Sequence, residues 1–199
     1  MKIFLIRSAE SVNDEPNSIR KSYPEYKITL SDLGVEQANR CGKFLKDFCL
    51  KNNISLNKAV FYTSPFERTR ETADIIHDYL HVPILDDIAL VEQLFCGDEK
   101  YKDLNSWYDD YNSTALFYQK SNYGESPFEL CMRTKIFMNT LHHDVVFIVS
   151  HNYVIQSLLL NFYHYSPEWL RKIDKLNNCE VLYIDSDLDQ KERVIYKGE

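Results

Sequence analysis

The sequence predicts an α/β protein: a single-domain three-layer sandwich in which a mainly parallel sheet carries helices on both faces. Three observations point there. Short apolar runs of strand length alternate with segments of helical period. The helix starts between them are marked by serine, proline and glutamate at fixed offsets. At 199 residues the chain can bury one ordinary core, and it holds no repeat and no Gly/Ser- or Pro-rich linker that would divide it.

The elements follow in order. A first strand, Ile3–Ile6, is succeeded by a long loop and then a helix after Ser31-Asp32 with Ala38, Cys41, Leu45 and Phe48 on one face. A second strand, Ala59–Tyr62, leads into a helix with Ala73, Ile76 and Leu80 in register. Leu130, Phe137, Met138 and Leu141 make a third helical face, the strand Val145–Val149 follows, and Val154, Ile155, Leu158, Leu159 and Phe162 make a fourth. Val181–Ile184 and a run near Arg193–Tyr196 supply the last strands. Ser64-Pro65-Phe66-Glu67 and Ser126-Pro127-Phe128-Glu129 both read as capping boxes, with Ser166-Pro167 a weaker start. Strands alternating with helices imply a parallel sheet covered on both faces. One domain therefore spans 1–199, with a helical, aromatic-rich cap segment at about 92–124.

Composition narrows the function. The net charge of -7 argues against nucleic acid or an anionic membrane as partner, because both reward clustered cations. The five cysteines, Cys41, Cys49, Cys96, Cys131 and Cys179, are odd in number and form no C-x-x-C pair. They read as reduced core thiols in a reducing, cytoplasmic setting. The opening strand is too short for a signal-peptide core, and no stretch reaches membrane-spanning length. Metal ligation is not expected. His142-His143 read as adjacent helical residues pointing apart, and Asp185, Asp187 and Asp189 lack the glycine and closing glutamate of a calcium loop, with Gln190 and Tyr196 in those places.

In a parallel sheet, ligands bind beyond the carboxyl ends of the strands. Arg7 follows the first strand, Ser64 the second with Arg68 one turn on, and Ser150-His151 the strand at 145–149. Each has an ordinary reading alone: a strand-ending arginine reaching water, a helix cation, a core histidine. Arg68 sits at a helix start, where a cation opposes the dipole, which hints at a partner that keeps it there. Two cations and an imidazole arriving at one sheet edge make an anion site.

The motifs around these residues make the chain similar to the histidine phosphatase superfamily, the phosphoglycerate-mutase-like proteins. The family's opening R-H-G-E-[ST] stands here as Arg7-Ser8-Ala9-Glu10-Ser11. L-T-x-x-G-x-x-Q-A falls within Thr29 to Ala38, with Leu33-Gly34 and Gln37-Ala38 in place. S-P-x-x-R-x-x-x-T-A is Ser64 to Ala73, the acid block is Leu90-Val91-Glu92-Gln93, and G-E-S is Gly124-Glu125-Ser126. The second-histidine block is Val149-Ser150-His151-Asn152, and Ser166-Pro167-Glu168 with Asn178-Cys179-Glu180 resembles the family's ending.

The resemblance implies a metal-independent phosphomonoester hydrolase without cofactor, acting on a small phosphorylated metabolite or nucleotide through a phosphohistidine. Arg7, Arg68 and His151 would bind the phosphoryl group, and Glu92 would protonate the leaving alcohol. Ser64, Asn13, Asn152 and Glu125 would be secondary, Glu125 being equally a neighbour of the Ser126 cap. The nucleophile position, however, is Ser8. A serine hydroxyl is barely ionised at neutral pH, is shorter than an imidazole, and would give a phosphate ester slow to hydrolyse.

Ser8 therefore reads as a replacement that stops turnover in an otherwise complete enzyme. The alternative is a natural pseudo-phosphatase that binds a phosphorylated ligand without turnover. A phosphoglycerate mutase is a third reading, disfavoured because the E-R-x-Y-G-x-L-x-G stretch around the acid residue is missing. Ala9 replaces the usual glycine, and Asp14 stands where an asparagine is usual, with Asn13 beside it. Tyr101, Trp107, Tyr108, Tyr111, Phe117, Tyr118 and Tyr123 would mostly pack the cap, a few reaching the pocket mouth, and Arg20 and Lys21 could meet a second phosphate. The expected partner is a small phosphorylated molecule, with the chain a monomer or homodimer.

Overall fold

The computed structural model describes residues 1–14, 24–94, 117–120, 124–186 and 192–198. Arg20, Lys21, Cys96, Asp187, Asp189, Gln190 and most of the aromatic-rich segment lie outside them. Strands β1 (Lys2–Arg7), β2 (Val60–Thr63), β3 (Ile84–Asp86), β4 (Val145–Ser150), β5 (Val181–Asp185) and β6 (Arg193–Tyr196) form one sheet in the order β3-β2-β4-β1-β5-β6. The pairs β3–β2, β2–β4 and β4–β1 are parallel, whereas β1–β5 and β5–β6 are antiparallel. The α/β class with a mainly parallel sheet is therefore as the sequence predicts. Strand β3 is an addition. Its three residues are mostly exposed and too few to show a pattern, and only pairing with β2 (Phe61 opposite Ile84) makes them a strand.

The chain folds as two compact units. The first comprises Met1–Val91, His142–His151 and Leu176–Glu199, and holds the sheet with helices α1 (Asp32–Lys51) and α2 (Glu67–Leu80). The cross-strand partners Phe61, Phe147, Phe4 and Tyr183 form a row of rings across four strands, with neighbouring centroids 5.5, 4.5 and 4.9 Å apart. Such directly opposed aromatic pairs stabilise a sheet and hold its register. Ala38, Cys41 and Leu45 of α1 and Ala73, Ile76 and Leu80 of α2 belong to the same cluster. The alternate residues Leu5, Val146 and Ile148 are just as buried, so both faces of the central strands are out of water. That is why these strands read as unbroken apolar runs.

The second unit comprises Glu92–Leu141 and Asn152–Lys175, with α3 (Pro127–Met138) and α4 (Asn152–Tyr163). The capping box expected at Ser126 forms: its hydroxyl accepts from the Glu129 amide while the Glu129 carboxylate accepts from the Ser126 amide. Within this unit Thr134 and Ser157 join α3 to α4 through their hydroxyls at 3.1 Å, and Asn161 donates to the Cys131 carbonyl at 2.8 Å. Phe117, Cys131 and Leu160 form a small core with Tyr165, Trp169 and Leu170. Ser166-Pro167 opens only a short 3-10 turn, Pro167–Arg171, without a side-chain cap.

One expectation is corrected here. His142 and His143 are not on a helix: α3 ends at Met138, and the two rings lie in the connection to β4 with centroids 4.3 Å apart and planes tilted 31°. The rings lie close together and tilted rather than pointing apart. Among the described residues no helix is long and apolar enough to cross a membrane. Cys41, Cys49, Cys131 and Cys179 are free and buried.

Helix α1 shows how the fold braces the segment that follows β1. Ser31 caps the helix, its hydroxyl accepting from the Gly34 amide at 3.0 Å and donating to the Glu10 carboxylate at 2.8 Å. A methyl group on Gly34 would stand 2.0 Å from the Glu10 carbonyl oxygen, so no other residue fits without moving that backbone. Glycine to alanine in a helix ordinarily gains about 1 kcal/mol. Here Gly34→Ala is expected to cost roughly 1–3 kcal/mol instead, as overpacking does, and Ser31→Ala about 1 kcal/mol through the lost cap. Urea unfolding of the two variants checks both values, and a more stable Gly34→Ala protein would contradict the close approach.

Candidate functional site

Three neighbouring strands end together. Thr63 of β2 lies opposite Val149 of β4, and Ser150 of β4 lies opposite Arg7 of β1. The ladder then runs one rung past the strands, with the Ser64 amide on the Val149 carbonyl at 3.2 Å and the Ser8 amide on the Ser150 carbonyl at 2.9 Å. Ser64, His151 and Ser8 thus leave the sheet at adjacent places on its carboxyl edge.

Helix α2 adds Arg68. The capping box predicted at Ser64 does not form: α2 begins at Glu67, its cap position is Phe66, and no side chain caps it. The Ser64 hydroxyl, wholly buried, instead meets Nε2 of His151 at 2.9 Å and accepts a long hydrogen bond from the Phe66 amide at 3.3 Å. Arg68 Nη2 lies 3.1 Å from Nδ1 of the same imidazole. A guanidinium only donates, so Nδ1 accepts and Nε2 carries the proton that Ser64 receives. Phe66 stands edge-on to the His151 ring at 5.2 Å and takes the Arg68 guanidinium over its face, also at 5.2 Å. Arg68, with a side chain only 11% exposed, is paired further with the Glu25 carboxylate at 3.1 Å and the Glu25 carbonyl at 3.2 Å. Glu25, in the short 3-10 turn Glu25–Lys27, is thus the partner that offsets a cation at a helix start.

The backbone after β1 is committed residue by residue. The Ala9 amide donates to the Thr72 hydroxyl at 3.1 Å, the Glu10 amide to the Gln37 side chain at 2.9 Å, and the Ser11 amide to the Asp14 carboxylate at 3.0 Å. Thr72 and Gln37 are themselves buried, so the T-A and Q-A motif positions act as braces for this segment. On the other side, the Arg7 amide donates to the Glu180 carbonyl, and the Cys179 amide to the Arg7 carbonyl, each at 3.1 Å. Cys179 makes that bond from the left-handed region, at φ 57°. The Arg7 guanidinium itself donates to the Leu176 carbonyl. Ser8 is buried at 6% exposure.

Asp14 closes a turn with the Ser11 hydroxyl at 2.8 Å, and Asn13 lies within that turn. In the second unit, Glu92 turns its carboxylate onto the Gln93 amide at 2.9 Å, Glu125 pairs with Arg133, and Asn152 is the buried first residue of α4. Sequence reasoning did not single out Glu25 or Arg133. Neither lies in a quoted motif, and Glu125 precedes α3 with Arg133 eight positions on, outside the i,i+4 spacing that marks a helical ion pair.

Burial pushes the Cys131 thiol up to about 12 and the Cys49 thiol to about 11. At neutral pH neither is a thiolate, so neither offers a nucleophile in place of Ser8.

The hydrogen bonds around His151 make a measurable prediction. Nitrogen NMR is expected to find its neutral ring protonated at Nε2. Ser64→Ala should cost roughly 1–3 kcal/mol of stability by removing the acceptor that a buried ring N–H faces, while Arg68 still holds the Nε2-protonated form. A ring already protonated at Nδ1 in the unaltered chain would overturn the assignment.

Comparison with known proteins places this geometry. The family model for the histidine phosphatase superfamily (branch 1) matches residues 3–197. Phosphoglycerate mutase-like protein AT74 of Arabidopsis thaliana is 25% identical, over 90% of this chain and 63% of its own length, so the chain spans less than two thirds of that relative. The alpha-ribazole phosphatase of Shigella flexneri superposes with a TM-score of 0.73 at 20% identity, covering all of this chain and 96% of that one. A mycobacterial glucosyl-3-phosphoglycerate phosphatase, in complex with VO3, gives 0.74 at 14% identity, covering 100% and 99%. These two likenesses concern the fold. The family match, which runs from β1 to just past β6, means that the chain belongs to the histidine phosphatase superfamily.

Proposed function

We propose that the carboxyl edge of β2, β4 and β1 binds the phosphoryl group of a small phosphorylated metabolite or nucleotide, with Arg7, Arg68 and His151 as its ligands. The observation that carries this reading is the direct contact of the Arg68 guanidinium with the His151 ring, at the end of the strand paired with the one that delivers Arg7. Two forked cations and an imidazole suit a tetrahedral dianion. In a chain of net charge -7, local concentration of cations is what such a site requires. The two structural relatives named above are called phosphatases of alpha-ribazole and of glucosyl-3-phosphoglycerate, and a small phosphorylated metabolite is the class extended from them to this chain. Four free, buried thiols support a reducing, cytoplasmic setting.

The reaction proposed for this scaffold needs histidine at position 8. An imidazole nitrogen attacks phosphorus, the ester P–O bond breaks, and Glu92, assigned by its place in the motif, gives its proton to the departing oxygen. Water then attacks the phosphohistidine, Glu92 takes up a proton from it, and the P–N bond breaks to release phosphate. With Ser8 the first step lacks a nucleophile, and the chain binds without turning over. A binding-only role draws on the same residue: the Ser8 amide is bound to the Ser150 carbonyl and its side chain is buried, and a serine hydroxyl attacks only with a base or metal beside it.

Two outcomes check the proposal. Arg68→Ala should weaken binding of inorganic phosphate or vanadate at least roughly tenfold by calorimetry, because a hydrogen bond to a charged group is worth about 1.5–3 kcal/mol. The unaltered chain should not hydrolyse an aryl phosphate, whereas Ser8→His should. Phosphate bound as tightly by Arg68→Ala would sink the site, and a Ser8→His protein that binds phosphate but remains inactive would favour the binding-only role.

A further inference from the structure

The G-E-S motif leaves one carboxylate without an assigned task, and the second unit shows what it touches. Glu125 immediately precedes the Ser126 cap of α3, and Arg133 lies two turns along that helix. Arg133 forks onto Glu125, Nε to Oε1 at 2.6 Å and Nη2 to Oε2 at 2.8 Å, with side chains only 21% and 13% exposed. This two-pronged geometry is the strong form of an arginine–carboxylate pair, and partial burial keeps water from competing for it. Glu125 is therefore held in place by a two-pronged ion pair.

The same pair grips the segment that carries Glu92. The Glu125 amide donates to the Leu94 carbonyl at 2.8 Å, and the buried Gln93 side chain donates to the Glu125 carbonyl at 2.9 Å. Arg133 Nη2 reaches the Glu92 carbonyl itself at 3.5 Å, a long contact. Residues 92, 93 and 94 thus each have one group tied to residue 125 or 133. The Glu92 carboxylate, resting on the next amide in the chain, turns wherever that segment turns.

We propose that Arg133 and Glu125 are positioning residues for Glu92: the ion pair anchors the start of α3 to residues 92–94 and so aims the Glu92 carboxyl. This inference rests on the reading of Glu92 as proton donor. A displaced proton donor has a signature that general loosening lacks. It slows esters whose alcohol must be protonated to leave, and spares those that depart as stable anions. General acid catalysis is worth about 10²–10⁴-fold, so partial misplacement of the acid should cost roughly tenfold or more.

The test uses the full chain with Ser8→His, and adds Arg133→Met, Arg133→Lys or Glu125→Gln. An alkyl phosphate and a nitrophenyl phosphate are compared, with thermal melts run in parallel. The expectation is a kcat on the alkyl ester reduced at least roughly tenfold by Arg133→Met, with the nitrophenyl ester slowed by less than about threefold and KM for both little changed. Arg133→Lys should recover part of the loss, and Arg133→Met combined with Glu92→Gln should be no slower on the alkyl ester than Glu92→Gln alone. Equal losses on both esters, or full additivity with Glu92→Gln, would assign the pair to stability and overturn the inference while leaving the phosphatase reading intact. A Ser8→His protein inactive on both esters would overturn the catalytic reading and this inference together.

Discussion

The parallel pairing of β1 with β4 is the constraint on which the candidate site depends. With Arg7 opposite Ser150, and the Ser8 amide continuing onto the Ser150 carbonyl, residues 7–8 and 151 must emerge side by side. A slip of one residue would turn every side chain of the strand to the other face and carry Arg7 away from the histidine. The aromatic row of Phe61, Phe147, Phe4 and Tyr183 guards against such a slip, because each ring meets its neighbour only in this register.

Around that edge, several buried polar side chains are hydrogen-bonded. Thr72, Gln37 and Ser64 are nearly inaccessible, and each holds either a backbone amide or the His151 ring. An unpaired group in such surroundings would cost as much as a lost hydrogen bond, so the network specifies one conformation of the segment after β1. Arg68 shows the same logic for charge. It stands at the wrong end of a helix for a cation, and a carboxylate, an imidazole and an aromatic face surround it.

Ser8 sits in this frame at the position where the proposed reaction needs histidine. Its neighbours match the motifs of the histidine phosphatase superfamily, and on the reading proposed above its hydroxyl stands in place of the imidazole that would attack phosphorus. Nothing in the bracing of residues 7–11 depends on what side chain position 8 carries, because the support runs through backbone amides. Scaffold and chemistry are separable at this point.

How much of this was legible beforehand follows from what kind of pattern each feature leaves. Unbroken apolar runs announced the central strands because both faces of each are buried, and periodic apolar faces announced α1, α2 and α4 because each lays one stripe into a core. Arg7, Arg68 and His151 were visible as residues just beyond strand ends, where parallel sheets place ligands. Strand β3 was not, since three half-exposed residues carry no period. Ser64 looked locally like a helix cap and is a histidine partner 87 positions away in the chain, and Glu25 and Arg133 acquire meaning only through residues 43 and 8 positions distant. Local periodicity and strand ends belong to the sequence by itself, because they arise from neighbours along the chain. The partners of buried polar groups were decided by the tertiary structure alone, because a hydrogen bond selects whatever donor the fold brings within 3 Å.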